Sequence, residues 1–357
     1  MRDVIHLAAA AADRPKAPWI TRTVTAAGGG VVPVVSTRLS RADVLGGWKV
    51  RWNIGRMGYI VLPGLYATGS PAAESPVLVT ANYKLTFDKL RSALTGIDAW
   101  ILVLDTRGVN VWCAAGKGTF GTDELVNRIE ASGLAQVVSH RDLILPQLAG
   151  PGVAAHEVRQ ETGWSVKYGP VLAGDIAAYL AAGMKKTDAM RKVPFGLAQR
   201  MAIAPVELVQ SWPLLAAILA GAGLLALPAT GPGAAGFGSR FLQTFLPLVG
   251  AVLLGTIAFP ALLPWLPTRA FSFKGAVLGA LWGLASAVVL GASVPRGAAL
   301  VFLCTPITAY LAMSFTGSST FTCQPGAALE VKRGLVPMIA SLVLGLGLRV
   351  ATGLLAL

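Results

Sequence analysis

Cysteine, histidine and charge are all scarce in this 357-residue chain. Its three cysteines, Cys113, Cys304 and Cys323, exclude a disulfide scaffold of the kind small secreted domains use. They also exclude an iron–sulfur cluster held by this chain alone, which takes about four thiolates at close spacing. No Cys/His grouping has zinc spacing, and His6, His140 and His156 are too scattered to suggest a site. Charged residues make up 13%, against roughly 25% in an ordinary soluble protein. That excludes a water-soluble fold over the whole length. A secretory signal is absent as well: the apolar run Leu7–Ala12 is short and Asp13 follows at once. The soluble portion is therefore expected to stay in the cytoplasm.

The charge that is present divides unevenly. Residues 211–357 hold seven of the 30 Lys and Arg and one of the 17 Asp and Glu. Five apolar stretches follow residue 210: Trp212–Ala229, Phe241–Pro264, Phe273–Ala292, Ala298–Thr316 and Leu335–Leu357. Each approaches the ~20 residues that cross a hydrocarbon core. They predict an all-α, five-helix transmembrane domain over residues 206–357. Lys185, Lys186, Arg191, Lys192 and Arg200 precede the first stretch; Arg269, Lys274, Lys332 and Arg333 lie in the even-numbered loops. The odd-numbered loops have only Arg240 and Arg296. Basic residues favour the cytoplasmic side, which predicts a multi-pass protein of the cytoplasmic (inner) membrane with the N-terminal domain inside and the C-terminus outside. The stretches contain no His, Asp or Glu and, apart from Lys274 at the very start of the third, a single charged residue, Arg349, which favours an anchor over a proton-coupled transporter. Cys304 and Cys323 read as structural thiols. Basic loops beside spans account for much of the net charge of +13, and no nucleic-acid-binding motif appears.

Residues 1–55 are weakly patterned, and residues 56–205 read as an α/β domain. Arg56–Ala67 suggests a strand or hairpin. Val77–Ala81 and Trp100–Asp105 read as buried strands, Gln136–Ser139 as a short strand and Ser165–Tyr168 as extended. Thr86–Leu94, Thr122–Ser132, Val153–Glu161 and Gly174–Ala182 read as helices, with Thr122 as an N-cap. Strands alternating with helices predict a mostly parallel, Rossmann-like sheet. Ligands in such sheets bind beyond the carboxyl ends of strands, which is where the loop after Trp100–Asp105 falls.

That loop contains Asn110-Val111-Trp112-Cys113-Ala114-Ala115-Gly116-Lys117-Gly118. A phosphate loop fails twice, with Val111 in place of the first Gly and Gly118 in place of Ser/Thr. A thiol nucleophile at Cys113 would need a base such as His140 or His156 brought near by folding. A plain buried cysteine is the simplest reading of the composition. A single metal ligand is the fourth, open to a cofactor that brings its other ligands with it.

Residues Asn110–Lys117 resemble the signature of the mercury-methylating corrinoid protein family. The likeness extends over Pro76–Pro205, including Pro76–Asn82, Gly118–Thr122, Leu145–Leu148 and Pro151–Val158, and the family also has a multi-span C-terminal domain. Its soluble domain is similar to the corrinoid-binding domain of the corrinoid iron–sulfur protein of the acetyl-CoA pathway. The resemblance implies a cobalamin-type corrinoid with Cys113 as lower axial cobalt ligand. Asn110 and Trp112 would position the loop, with Val111, Ala114 and Ala115 of its cap helix also expected to bind the cofactor. Gly116 and Gly118 would let backbone approach the corrin, Lys117 would meet the cofactor tail or solvent, and Thr80 would be a cofactor neighbour.

The activity implied is methyl transfer from cysteine-ligated methyl-Co(III) to Hg(II). A thiolate is a soft, strongly donating ligand, suited to releasing a carbanion-like methyl to a soft electrophile. The Asp-x-His-x-x-Gly arrangement of other cobalamin proteins is absent. The resemblance further implies a ferredoxin-like partner with two four-iron–four-sulfur clusters as electron donor, and a methyltetrahydrofolate-dependent methyl source. Two other readings remain: a corrinoid methyl carrier of one-carbon metabolism with another acceptor, and a non-enzymatic transporter or sensor.

Overall fold

The computed structural model describes residues 17–227, 236–319, 321 and 324–354. His6, Cys323, the Leu7–Ala12 run and the C-terminal ends of the first and fifth apolar stretches lie outside the described residues. The chain divides into two compact units, Met1–Val50 with Ile54–Val193, and Arg51–Asn53 with Pro194–Leu357.

The first unit is built on a seven-stranded sheet of order β1-β2-β3-β5-β4-β6-β7. Its strands are β1 (Ile20–Thr25), β2 (Val31–Val35), β3 (Gly64–Thr68), β4 (Val77–Ala81), β5 (Ala99–Leu104), β6 (Asp142–Leu145) and β7 (Ser165–Tyr168). β5, β4, β6 and β7 run parallel, whereas β3 is antiparallel to β5 and β1 to β2. β2 and β3 also pair in parallel, so the sheet is mixed but mostly parallel, as expected, with its continuous parallel run in the half that the sequence made legible. β4 and β5 are buried along their whole length. That is why they read as unbroken apolar runs rather than alternating ones.

Alternate residues of these strands enter two cores. Val77, Val79, Trp100, Leu102 and Leu104 meet Leu125 and Ile129 of a helix on one face. Leu78, Ile101 and Val103 meet Phe87, Leu90, Ile176 and Tyr179 on the other. The helices of this unit are α1 (Arg41–Arg51), α2 (Lys84–Ala93), α3 (Val111–Gly116), α4 (Thr122–Ala131), α5 (Leu134–Val137), α6 (Ala155–Thr162) and α7 (Ile176–Ala181).

Three local expectations are corrected. Gln136–Ser139 is not a strand: Gly133, in the left-handed region at φ 59°, starts the short turn of α5, and the strand comes later as β6. Val137 and Val138 are β-branched because they fill the core from that turn. Thr122 is not an N-cap: Gly121 holds that position, and the Thr122 hydroxyl accepts from the Ala154 N–H at 3.0 Å. Arg56–Ala67 is a short 3₁₀ turn, Arg56–Gly58, followed after an irregular stretch by β3. The weakly patterned N-terminal segment supplies β1, β2 and α1.

A buried ion-pair cluster joins α1 to α2. Lys84 Nζ lies 2.6 Å from Asp43 and 2.7 Å from Asp88, and Arg91 reaches the same two carboxylates at 2.9 and 2.7 Å. Burial opposes ionisation of Asp43, but hydrogen bonds from Lys84, Ser40 and Arg91 outweigh it and hold its carboxyl well below the usual range.

The second unit is helical. Among the described residues, four of its helices are long and apolar enough to cross a membrane: Phe237–Leu262, Phe271–Val289, Val294–Gly317 and Pro325–Gly353. The pair Leu197–Gln210 and Trp212–Ala226 makes a fifth only if a 50° bend is accepted within one span. The five expected spans thus correspond to four single helices and this bent pair. Pro213 explains the break, since it has no N–H with which to continue the preceding helix and is tolerated in the first turn of a new one. Gly275, Gly279 and Gly283 line one face of Phe271–Val289. A Cβ at any of them would come within 2.5–2.7 Å of Ala312, Cys304 or Val301 on the next helix. The last helix starts at Gln324 rather than Leu335, so Glu330 lies inside it. Its carboxylate accepts from the Phe271 and Ser272 N–H groups at 2.7 and 3.1 Å, capping another helix rather than standing free.

Candidate functional site

β4 and β5 are parallel neighbours, so their carboxyl ends lie side by side. Asn82 follows β4 and is 3% exposed. Its Oδ1 accepts from the Thr106 N–H at 3.1 Å and the Gly108 N–H at 2.9 Å, with the Thr106 hydroxyl 2.8 Å away. Its Nδ2 donates to Asp105 Oδ1 at 3.0 Å. One buried amide therefore ties down the whole turn leaving β5. The turn needs such restraint, because Arg107 and Gly108 are both left-handed, at φ 55° and 72°. Glu124 of α4 adds a brace by accepting from the Asp105 N–H at 2.8 Å.

The turn delivers the chain to α3. Asn110 is its N-cap, and the Asn110 side chain accepts from the Cys113 N–H at 3.0 Å. Val111, Ala114 and Ala115 are buried and belong to the core on that face of the sheet. This spacing fixes the rotation of the helix: Cys113, Gly116, Lys117 and Gly118 are exposed, and Trp112 is half-buried. Gly152 permits the close seating of α3. A Cβ there would stand 2.2 Å from the Phe120 carbonyl oxygen and 2.9 Å from Ala115 Cα.

Cys113 is exposed, which removes the plain buried-cysteine reading. The histidines proposed as its base are engaged elsewhere. His140 Nδ1 accepts from the Asp142 N–H at 3.2 Å, leaving its Nε2 to bond Ser75 O at 3.0 Å. His156 is an exposed side chain 4.0 Å from Glu157. No group of three His, Cys, Asp or Glu residues that could hold a metal occurs among the described residues. Thr80 is 1% exposed within β4, opposite Val103.

Residues 56–180 match the model of the family described as CO dehydrogenase/acetyl-CoA synthase delta subunit. Similar curated proteins carry the name acetyl-CoA decarbonylase/synthase complex subunit gamma. That of Archaeoglobus fulgidus is 38% identical over 122 residues, 34% of this chain and 26% of the relative. That of Methanosarcina acetivorans is 34% identical over 121 residues, 33% and 25% of the two chains. That of Methanocaldococcus jannaschii is 36% identical over 111 residues, 30% and 22%. This chain spans about a quarter of the length of these relatives. The matched part contains β3 to β7 and the whole Asn82–Cys113 arrangement.

Sequence reasoning assigned no role to Asn82, and it read Gly150-Pro151-Gly152 as a turn or as amides facing a cofactor, not as the contact that seats α3. The available signal for Asn82 was a polar residue directly after a fully apolar strand. Nothing local announced Gly152, whose neighbours are distant in sequence.

Proposed function

We propose that residues 56–205 form a Rossmann-like corrinoid-binding domain in which Cys113 would hold the cobalt, and that the protein transfers a methyl group to Hg(II). The observation that carries this reading is Cys113 itself: an exposed thiol on a capped six-residue helix at the carboxyl end of a central strand. A lone thiol is a poor metal site for a bare ion, but it fits a corrin, which brings its own equatorial donors. The surroundings also fit a flat macrocycle, since Gly118 adds no side chain and a Cβ there would meet nothing within 4 Å. When bound, the corrin supplies a cobalt that carries the methyl group.

The chain's own residues do the rest. Asn110 holds the Cys113 backbone, Asn82 fixes the approach to it, and Val111, Ala114 and Ala115 seat the helix on the core. Trp112, Gly116 and Lys117 lie on the same short helix and its C-terminal end as the thiol, and Thr80 is buried near the carboxyl end of β4, in register with Val103. The second unit serves as a five-pass anchor in the inner membrane, counting the bent pair, with the C-terminus outside. Electrons come from a ferredoxin-like protein with two four-iron–four-sulfur clusters, and methyl groups from a methyltetrahydrofolate-dependent system. Purified protein supplied with cobalamin, a low-potential reductant, a methyl source and Hg(II) should form methylmercury, and Cys113→Ala should form none. Equal product from the two proteins would sink the proposal.

The names of the curated relatives favour a second reading, a corrinoid methyl carrier of one-carbon metabolism for which Hg(II) is incidental. A deletion strain that loses acetyl-CoA flux along with methylmercury formation would select this reading; unchanged flux would select the first.

A further inference from the structure

The segment Arg41–Leu62 carries several large apolar side chains of high solvent exposure. α1 opens with a reciprocal cap, the Ser40 N–H donating to Asp43 and the Asp43 N–H to the Ser40 hydroxyl, at 2.9 and 3.2 Å. The ion pairs of Asp43 with Lys84 and Arg91, and the burial of Gly47 and Val50, decide which side of α1 faces inward. The outward side shows Val44, Leu45 and Trp48 at 61, 57 and 57% exposure. The following turns add Ile54, Met57, Ile60 and Leu62 at 57, 78, 48 and 45%. Single exposed apolar residues are ordinary, but seven in one short segment mark an interaction surface.

The charge in this segment identifies the kind of partner. Arg41, Lys49, Arg51 and Arg56 alternate with the apolar residues, and the only acid, Asp43, is turned inward. Exposed apolar bulk interleaved with basic side chains is the composition of an element that lies in the headgroup boundary of an anionic bilayer.

We propose that Arg41–Leu62 is a membrane-surface docking element, placing Val44, Leu45, Trp48, Ile54 and Met57 at the acyl boundary and Arg41 and Lys49 on lipid phosphates. This rests on the helical unit spanning the membrane. Ile60 connects the element to the site: its Cγ2 lies 2.8 Å from where a Gly108 Cβ would be, against the turn that leads to Cys113. Lipid docking would thus brace the turn that positions the thiol.

The full chain in nanodiscs made with brominated phosphatidylglycerol or phosphatidylcholine provides the test. The Trp48 signal is the difference between the wild type and Trp48→Phe; Trp282→Phe gives the signal of a residue inside Phe271–Val289. The proposal expects Trp48 to be quenched in phosphatidylglycerol and less in phosphatidylcholine, with the difference lost in Arg41→Gln/Lys49→Gln. Equal quenching in both lipids would contradict the assigned headgroup charge. An unquenched Trp48 beside a quenched Trp282 would overturn the docking element alone, and would mean that protein covers this surface. If neither is quenched, the spanning reading falls and takes the proposal with it.

Discussion

Cys113 and Cys304 are the same residue in opposite settings. Cys304 lies in the long helix Val294–Ser314, fully buried among Leu248, Ala251, Val252, Leu303 and Ile307, with its thiol 3.6 Å from Pro247 O. Cys113 sits on a single short helix with only its backbone engaged, through the Asn110 cap. Packing encloses one thiol, whereas capping and a glycine contact present the other. Chemistry at a cysteine here depends on how its helix is held, and the two regions are held by different means.

The largest test of this contrast is functional. Cys113→Ala should abolish methyl transfer in a product assay, and Cys304→Ala should leave most of it. A large loss from Cys304→Ala would break the comparison. Next come the glycines that let each helix approach its neighbour. Gly152→Val forces a side chain against the Phe120 carbonyl and Ala115 Cα, and should lower stability by about 3 kcal/mol together with cobalamin binding. Gly279→Val, whose Cβ would stand 2.7 Å from Cys304 O, should weaken the helix pair by a comparable amount and leave cobalamin titration unchanged.

Asn82→Ala leaves the Thr106 and Gly108 N–H groups without their partner. A stability loss of about 2 kcal/mol is expected in denaturant unfolding, with weaker cobalamin binding. Asn110→Ala removes one cap and should lose about 1 kcal/mol. The smallest effect near neutrality is the pH response of the α1–α2 cluster. The Asp43 carboxyl is held below its unfolded value, so its contribution is present above about pH 4 and is lost as pH falls further. Asp43→Asn should flatten the acid limb of a melting-temperature profile.

The sequence revealed the parts of the fold that are buried on both sides. β4 and β5 stood out because every residue of each is apolar or small and enclosed. β2 was hidden by Pro33, which reads as a breaker yet sits in a strand whose pairing with β3 is confined to Val34 and Ala67. α5 was misread because Val137 and Val138 favour strand on composition, and only the left-handed Gly133 reveals the turn. At the site, the motif pointed to Cys113 and Asn110 because capping acts over three residues. Asn82 grips a turn 24 residues away, and Gly152 seats a helix from a different loop. Those relations exist only after the strands pair, so no local pattern encodes them.

The account stands or falls on the bond assigned to Cys113. The direct measurement is the absorption spectrum of the cobalamin-loaded full-length protein, compared among wild type, Cys113→Ala and Cys304→Ala. The wild type and Cys304→Ala should share the bands of thiolate-ligated cobalt, and Cys113→Ala should lose them. Identical spectra for all three, with cobalamin bound in each, would contradict the assignment.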